Sequence, residues 1–288
     1  MRDIPTSPRI IEIRHNRRVR ILRLSILFFI LFSSIVWATS YFSADKHITI
    51  DKVVVTGTHI IDQSDIEEEV FKNISGKYFY LYSRSNSFLY PNKFIYNNLI
   101  KNFPRIESLS VYRDNLKTLH IDITERIGSS LYCGSSIPTN IEDVGENCYF
   151  INNDGFIFDE APYFSGNVYF KYYMNLGNGI VNPKGNQIMD VDDFHKISRF
   201  IDKIDSFGFK SIYIVIEQDG TNYLYLNHGS NDTSPNIIFK DTDDFDMILD
   251  NLSISMKKEE FADEINTKYN TLLYIDLRFK NKVLYKFQ

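Results

Sequence analysis

Cysteine is scarce in this sequence, two in 288 residues, too few for the disulfide framework of a small secreted scaffold or for a cysteine-built metal centre. The six histidines, among them His59, His120, His195 and His228, are scattered without HExxH-like spacing, so no zinc site is expected. Also missing are GxSxG, the P-loop and the glycine-rich dinucleotide fingerprint, each of which sets a nucleophile or a phosphate cradle at a strand-to-helix turn. With them go the usual hydrolase, nucleotide and dehydrogenase readings. The expectation is a protein that is not an enzyme, with no cofactor and no small-molecule substrate. No segment repeats at a fixed period and none is low in complexity. Basic charge is in deficit over most of the chain. Residues 1–23 hold seven of the 32 Lys and Arg against Asp3 and Glu12, which leaves 25 basic and 35 acidic residues beyond them. An acidic bulk of that kind argues against nucleic acid as the ligand.

What is present is apolar. Hydrophobic side chains make up 43% of the chain and aromatics 15%, enough to bury a core in one or two domains. Between Arg23 and Asp45 there are 21 residues without a charge. Within them residues 24–42, LSILFFILFSSIVWATSYF, are long enough at helical rise to cross the hydrocarbon of a bilayer. Arg14, Arg17, Arg18, Arg20 and Arg23 precede this run and only Lys46 and Lys52 follow it closely. The expectation is therefore a single-pass type II protein of the cell (inner) membrane, with a cytoplasmic N-terminus and an extracytoplasmic C-terminal part. Trp37, Tyr41 and Phe42 suit the outer interface. The competing reading is a signal peptide cleaved after Val36-Trp37-Ala38; the apolar run continues past that site, which favours an uncleaved anchor.

Residues 48–55 form a β-branched run that ends at Thr56-Gly57. Ser64 and Glu67 are spaced as a capping box ahead of Ile66, Val70 and Ile74, which share a helical face, and Gly76 ends that helix. Glu67, Glu68 and Glu69 read as its solvated and capping face. A second helix opens near Pro91, turns Ile95, Leu99 and Phe103 inward and stops at Pro104. Strands at 106–113 and 117–125 follow, joined by Asp114-Asn115. In the second, Leu119, Ile121 and Ile123 alternate with His120, Asp122 and Thr124, as in a half-buried antiparallel strand. The β-α-α-β-β order, with VVVTG at 53–57, NFPRIESLSVYR at 102–113 and TLHIDITER at 118–126, resembles a POTRA domain. Behind a single anchor, these stretches resemble the FtsQ/DivIB family of bacterial cell-division proteins. Leu116 stands where that family usually has a proline, and residues 83–90 lengthen the loop between the helices.

The rest of the chain also mixes strands and helices. Residues 149–153 and 156–160 flank Asp154-Gly155, a short hairpin connection, and 168–176 reads as a longer strand. Phe194, Ile197, Phe200, Ile201 and Ile204 follow helical spacing and stop at Gly208. Strands are expected at 211–217, 221–227 and 236–240, then a helix capped by Thr242 with Phe245, Ile248, Leu249 and Leu252 as its buried stripe. Two strands close the chain, Leu273, Ile275, Leu277 and Phe279 alternating in one, Val283, Tyr285 and Phe287 in the other. The expected class is α+β: a cytoplasmic basic tail (1–23), a transmembrane helix (24–42), a POTRA domain (48–127) and a C-terminal mixed α+β domain with an antiparallel sheet (129–288). The best linkers are 43–47 and 134–147. Cys133 and Cys148 flank the second, as a disulfide or as two reduced thiols. Asp190, Asp192 and Asp193, and Asp243, Asp244 and Asp246, open helices, where carboxylates cap amides and offset the macrodipole. That reading is preferred to a metal or acid/base site.

The remaining functional surface is backbone. A closing strand at 283–287 is expected at a sheet edge, with free N–H and C=O groups that can take up a partner strand. There Tyr285 and Phe287 offer aromatic area, Arg278 a charge-assisted hydrogen bond and Lys286 attraction for acidic partners. YIDLRF at 274–279 resembles the terminal strand motif of the FtsQ/DivIB family. The resemblance implies a membrane scaffold of the divisome at the division septum. It would bind FtsB- and FtsL-like coiled-coil proteins and other division components through Tyr274, Asp276, Arg278, Phe279, Val283, Tyr285 and Phe287, with the POTRA domain taking part in recruitment. The readings that compete are a membrane-anchored envelope enzyme and a POTRA-bearing transport or assembly component. The last is disfavoured because the second domain lacks the regular strand pattern of a large barrel.

Overall fold

A computed structural model describes residues 8–137, 148–177, 180, 182–227 and 234–288, with side chains from residue 15 onward. His228 and most of the expected linker at 134–147 lie outside the described residues. The chain divides into two compact units, one running to Asn102 and taking in Ser108–Glu125, the other made of Phe103–Glu107 and Arg126–Gln288. Both mix helix and sheet, behind a long apolar N-terminal helix.

That helix, α1, spans Pro8–Ser43, so the expected span at 24–42 is part of a continuous rod that begins inside the basic tail. Pro8 opens it, because a fixed φ near the helical value suits the first turn. None of the residues in its most apolar window, mean hydropathy 2.2, is buried, and α1 is long and apolar enough to cross a membrane. It does not run out into a free linker: Ser43 is buried, its Oγ accepts the Ser83 N–H (2.9 Å) and its carbonyl accepts Asn86 Nδ2 (2.9 Å).

The rest of the first unit is a three-stranded sheet with two helices. Strand β1 (Lys52–Thr56) starts later than the apolar run suggests. Helix α2 covers Gln63–Ile74 and buries Ile66, Val70 and Ile74. Its cap is Asp62 rather than Ser64: the Asp62 carboxylate accepts the Ser64 N–H (2.9 Å), which starts the helix before the expected box and holds that carboxyl below its usual range. A short hairpin, β2 (Lys77–Tyr78) and β3 (Tyr82–Ser83), follows, then α3 (Asn92–Asn102) with Ile95 and Leu99 inward. Glu69 is not a purely solvated residue, because it accepts Asn98 Nδ2 and Asn102 Nδ2 (3.2 Å each) and so ties α2 to α3. Strands β4 (Ile106–Arg113) and β5 (Thr118–Glu125) complete the sheet in the order β1-β5-β4, with β1 parallel to β5 and Val53 opposite Leu119. Two motif residues have visible causes. Gly57 has φ 82°, and a Cβ there would lie 2.0 Å from the Ile123 carbonyl oxygen. Glu125 accepts the N–H groups of His59, Ile60 and Ile61 (2.8, 3.0 and 3.0 Å), gathering the loop before α2.

The second unit is built on a nine-stranded sheet. Its strands are β6 (Ser130–Tyr132), β7 (Tyr149–Ile151), β8 (Ile157–Glu160), β9 (Lys171–Met174), β10 (Ser211–Ile216), β11 (Thr221–Leu226), β12 (Asn236–Lys240), β13 (Leu272–Asp276) and β14 (Leu284–Phe287). They lie in the order β14-β13-β12-β11-β10-β9-β6-β7-β8. The sheet is mixed, not antiparallel as expected, since β6–β9, β9–β10 and β12–β13 are parallel pairs. The last two have helical crossovers: α4 (Val191–Ser206) joins β9 to β10, and α5 (Phe245–Met256) with α6 (Glu259–Lys268) joins β12 to β13. The strand expected at 168–176 contracts to β9. Helix α5 is capped by Asp244, whose carboxylate accepts the Met247 N–H (3.2 Å), and not by Thr242. Phe200 packs between Phe239 and Phe245, with ring centroids at 4.4 and 4.9 Å. Ile204, Leu224, Ile237, Leu252, Ile265 and Ile275 extend this core along one sheet face. Cys133 and Cys148 are joined by a disulfide.

Candidate functional site

Strand β14 lies at one end of the nine-stranded sheet and pairs on one side only, with β13, in antiparallel register that sets Tyr285 opposite Ile275 and Lys286 opposite Tyr274. The Gln288 N–H donates to the Thr271 carbonyl (2.8 Å). Since donors alternate along an antiparallel strand, the N–H groups of Lys286 and Leu284 face β13 as well, and those of Tyr285 and Phe287 face outward. The opposite end of the sheet is covered: Ile157 in β8 exchanges backbone hydrogen bonds with Gly185 and Asn186 (2.8 and 2.9 Å). Of the two ends, β14 is the one with no strand or loop bonded to its outer side among the described residues.

The side chains of β14 divide between two faces. Tyr285 and Phe287 lie on the side of α6. The Tyr285 ring meets Phe261 edge-on (4.9 Å) and its hydroxyl donates to Glu264 Oε2 (2.8 Å). Phe287 packs against the core, and Lys268 Nζ stands 5.7 Å from its ring centroid. Lys268 also pairs with Glu264 (2.9 Å), so these bonds hold the Glu264 carboxyl low, Lys268 contributing more than Tyr285, and the bond to Glu264 raises the Tyr285 phenol. Val283 likewise packs on the core. The other face presents Leu284, 43% exposed, and Lys286.

Register carries that second face across the sheet. Lys286, Tyr274, Asn236, Tyr225 and Tyr213 form one row; Leu284, Asp276, Ile238, Tyr223 and Val215 form the next. Tyr213 and Tyr225 stack at 4.5 Å, and burial raises both phenols. Asp276 is 5% exposed, and both its oxygens are taken by Arg278, Nε at 2.9 Å and Nη2 at 2.6 Å. That bond raises the Arg278 pKa and occupies much of its fork internally. Phe279 falls beyond β13, exposed in the turn before β14. The expected alternation Leu273, Ile275, Leu277 is broken by a register shift between Leu272 and Tyr274, so Leu272 is buried and Leu273 is not.

The structure thus brings Tyr274, Asp276, Arg278, Val283, Tyr285 and Phe287 to one end of one sheet, but on two faces. The tyrosine row on β10 and β11 was not anticipated as part of this surface. Its sequence signal was the pair of strands, SIYIVI and TNYLYL, which beyond Ser211, Thr221 and Asn222 are apolar or aromatic on both alternating sets.

The carboxylate clusters serve local structure. Asp190 caps α4 through the Asp192 N–H (2.9 Å), Asp193 pairs with Lys196 (2.7 Å) and Asp243 accepts the Lys240 N–H (2.7 Å). No group of three or more potential metal ligands occurs among the described residues. No protein-family model matches the chain, and no curated protein matches it.

Proposed function

We propose that this chain is a bitopic membrane scaffold of FtsQ/DivIB type, a non-enzymatic component of the bacterial divisome at the septum. It holds FtsB- and FtsL-like partners by adding one of their segments to the outer side of β14. The observation that carries the proposal is this edge: a terminal strand with outward Tyr285 and Phe287 N–H groups, bordered by aromatic and charged side chains, in a unit carried behind a membrane-length helix. The first unit supports it as a POTRA domain. Its order, β1-α2, the β2–β3 hairpin, then α3-β4-β5, puts β1 beside β5, and its motif glycine and glutamate, Gly57 and Glu125, act at the β1–α2 loop. α1 crosses the cell membrane once, with the basic residues inside.

Proline substitution at two adjacent positions tests strand addition. Tyr285→Pro removes an outward donor together with the ring contacts to Phe261 and Glu264, so it is compared in nanodiscs with Tyr285→Ala, which loses the same contacts and keeps the donor; the two are expected to melt alike, while affinity for an FtsB-like extracytoplasmic segment is about tenfold or more lower in the proline variant, about 1.4 kcal/mol. Leu284→Pro removes a donor to β13 and lowers both melting temperature and affinity. Equal affinity in folded Tyr285→Pro and Tyr285→Ala overturns the edge as the binding site.

A further inference from the structure

The turn between β2 and β3 is built from residues that a tight turn normally avoids. The Leu81 N–H donates to the Tyr78 carbonyl (2.9 Å), closing a four-residue turn whose central residues, Phe79 and Tyr80, have φ of 50° and 61°. Asn-Gly fills such a pair of left-handed positions at low cost, whereas a bulky side chain crowds the neighbouring backbone. Packing does not compensate, since Phe79 is 89% and Tyr80 95% exposed, and Leu81 is exposed beside them. Strained aromatics held out at a hairpin tip point to a function for the tip.

The position of the hairpin says what surrounds it. Ser40 Oγ donates to the Leu81 carbonyl (2.7 Å), Thr39 Oγ1 and the Tyr82 hydroxyl share a hydrogen bond (3.0 Å), and Ser83 N–H donates to Ser43 Oγ (2.9 Å). The hairpin is therefore fixed along the last turn of α1. Thr39 and Ser40 lie about 5 Å inside the helix end at helical rise, among Trp37, Tyr41 and Phe42, residue types that collect at the membrane–water interface. Lys46, beyond the helix end, and Lys77, at the base of the hairpin, line an open cleft with Trp37, Tyr41 and His47, and with Asp45, whose carboxylate accepts the His47 N–H (2.7 Å). Aromatics at the depth of the interfacial belt, with cations just outside them, match the order of acyl chain and phosphate in a leaflet.

We propose that the tip formed by Phe79, Tyr80 and Leu81 is a second membrane-contact element, inserted at the acyl–headgroup boundary of the extracytoplasmic leaflet beside α1, with Lys46 and Lys77 facing lipid phosphates. The proposal rests on the reading that α1 spans the membrane, and the test separates the two. Trp37 is the single tryptophan of the chain, so the full-length protein in phosphatidylcholine vesicles reports on α1, and a Trp37→Phe/Tyr80→Trp variant reports on the tip. Each is titrated with phosphatidylcholine brominated near the headgroup end of the acyl chain or near its methyl end. Expected is quenching of the tip tryptophan by the shallow bromines to the extent seen for Trp37, weaker quenching by the deep ones, and a blue-shifted emission. If Trp37 is quenched and the tip tryptophan is instead quenched by aqueous iodide, the insertion proposal is wrong although α1 spans. A blue-shifted tip tryptophan unaffected by brominated lipid also overturns it, because protein then covers the tip. Absence of lipid quenching at Trp37 removes the spanning helix and the proposal together.

Discussion

Single residues on β14 separate binding from folding. Phe287 packs against the core beside Leu272, its partner in register, whereas Leu284 is exposed on the opposite face. Phe287→Ala is therefore expected to lower stability by about 1–3 kcal/mol, less than a fully buried phenylalanine because the ring is only partly buried. Leu284→Ala is expected to leave the melting temperature nearly unchanged and to weaken the added strand. Thermal melts and partner titrations on the full chain distinguish these outcomes; a neutral melt for Phe287→Ala would take that ring out of the core. Tyr172 tests burial through pH. Desolvation pushes its phenol from 10.0 up to about 12, opposed by the hydrogen bond with Ser198 (3.3 Å). The raised folded value makes its contribution complete below pH 10 and lost as pH rises from there towards 12, at about 1.4 kcal/mol per pH unit. Other buried tyrosines shift the same way, so the measurement is the difference in denaturant midpoint between wild type and Tyr172→Phe across this window. Parallel curves would mean that Tyr172 is solvated.

At the scale of elements, the sequence was most legible where one periodic pattern ran without a competing signal. Ile66, Val70 and Ile74, and the stripe from Phe194 to Ile204, are buried as helical spacing requires, and Leu119, Ile121 and Ile123 line one face of β5. Both caps lie two residues from the expected position because Asp62 and Asp244 stand near other polar residues of equal capping ability, and only the turn geometry chooses between them. Helix α6 was missed. Its apolar signal is only Phe261 and Ile265, and its burial depends on β14, which arrives later in the chain. Strand direction was legible only through connections: a helix of 16 residues between β9 and β10 permits a parallel pair, but nothing local in KYYM specifies one. The site was partly legible for the same reason. The strand itself was legible from the alternation of Val283, Tyr285 and Phe287, and its edge position is seen in the sheet order. The division of their side chains from Leu284 and Lys286 depended on which face α6 covers. The β2–β3 turn was invisible in the sequence because Phe-Tyr carries no turn chemistry, although the residues that follow it, Leu81 and Tyr82, are hydrogen-bonded to α1.

At the scale of the whole molecule, the proposed topology, an uncleaved anchor with the mass outside, is open to direct test. Five arginines lie within residues 14–23, before an apolar window of mean hydropathy 2.2, and the residues just beyond it include only Lys46 and Lys52 as cations. Retention of arginine on the cytoplasmic side would orient α1 with its C-terminal end outward, as proposed. Ala38, the cleavage position of the competing reading, lies inside a continuous helix whose next residues, Thr39 and Ser40, are hydrogen-bonded to the β2–β3 hairpin. Cleavage there would cut a folded element, so the intact 33.8 kDa chain is expected in the membrane fraction. A reporter enzyme that works only outside the cytoplasm, fused after Gln288, is expected to be active, and a reporter that works only inside is expected to be silent. Replacing Arg14, Arg17, Arg18, Arg20 and Arg23 with glutamine should weaken the preference between the two, because the apolar length remains while of the seven basic residues only Arg2 and Arg9 are left. A soluble product beginning at Thr39 would reject the anchor, and an active cytoplasmic reporter with the arginines intact would reject the orientation while leaving the span in place.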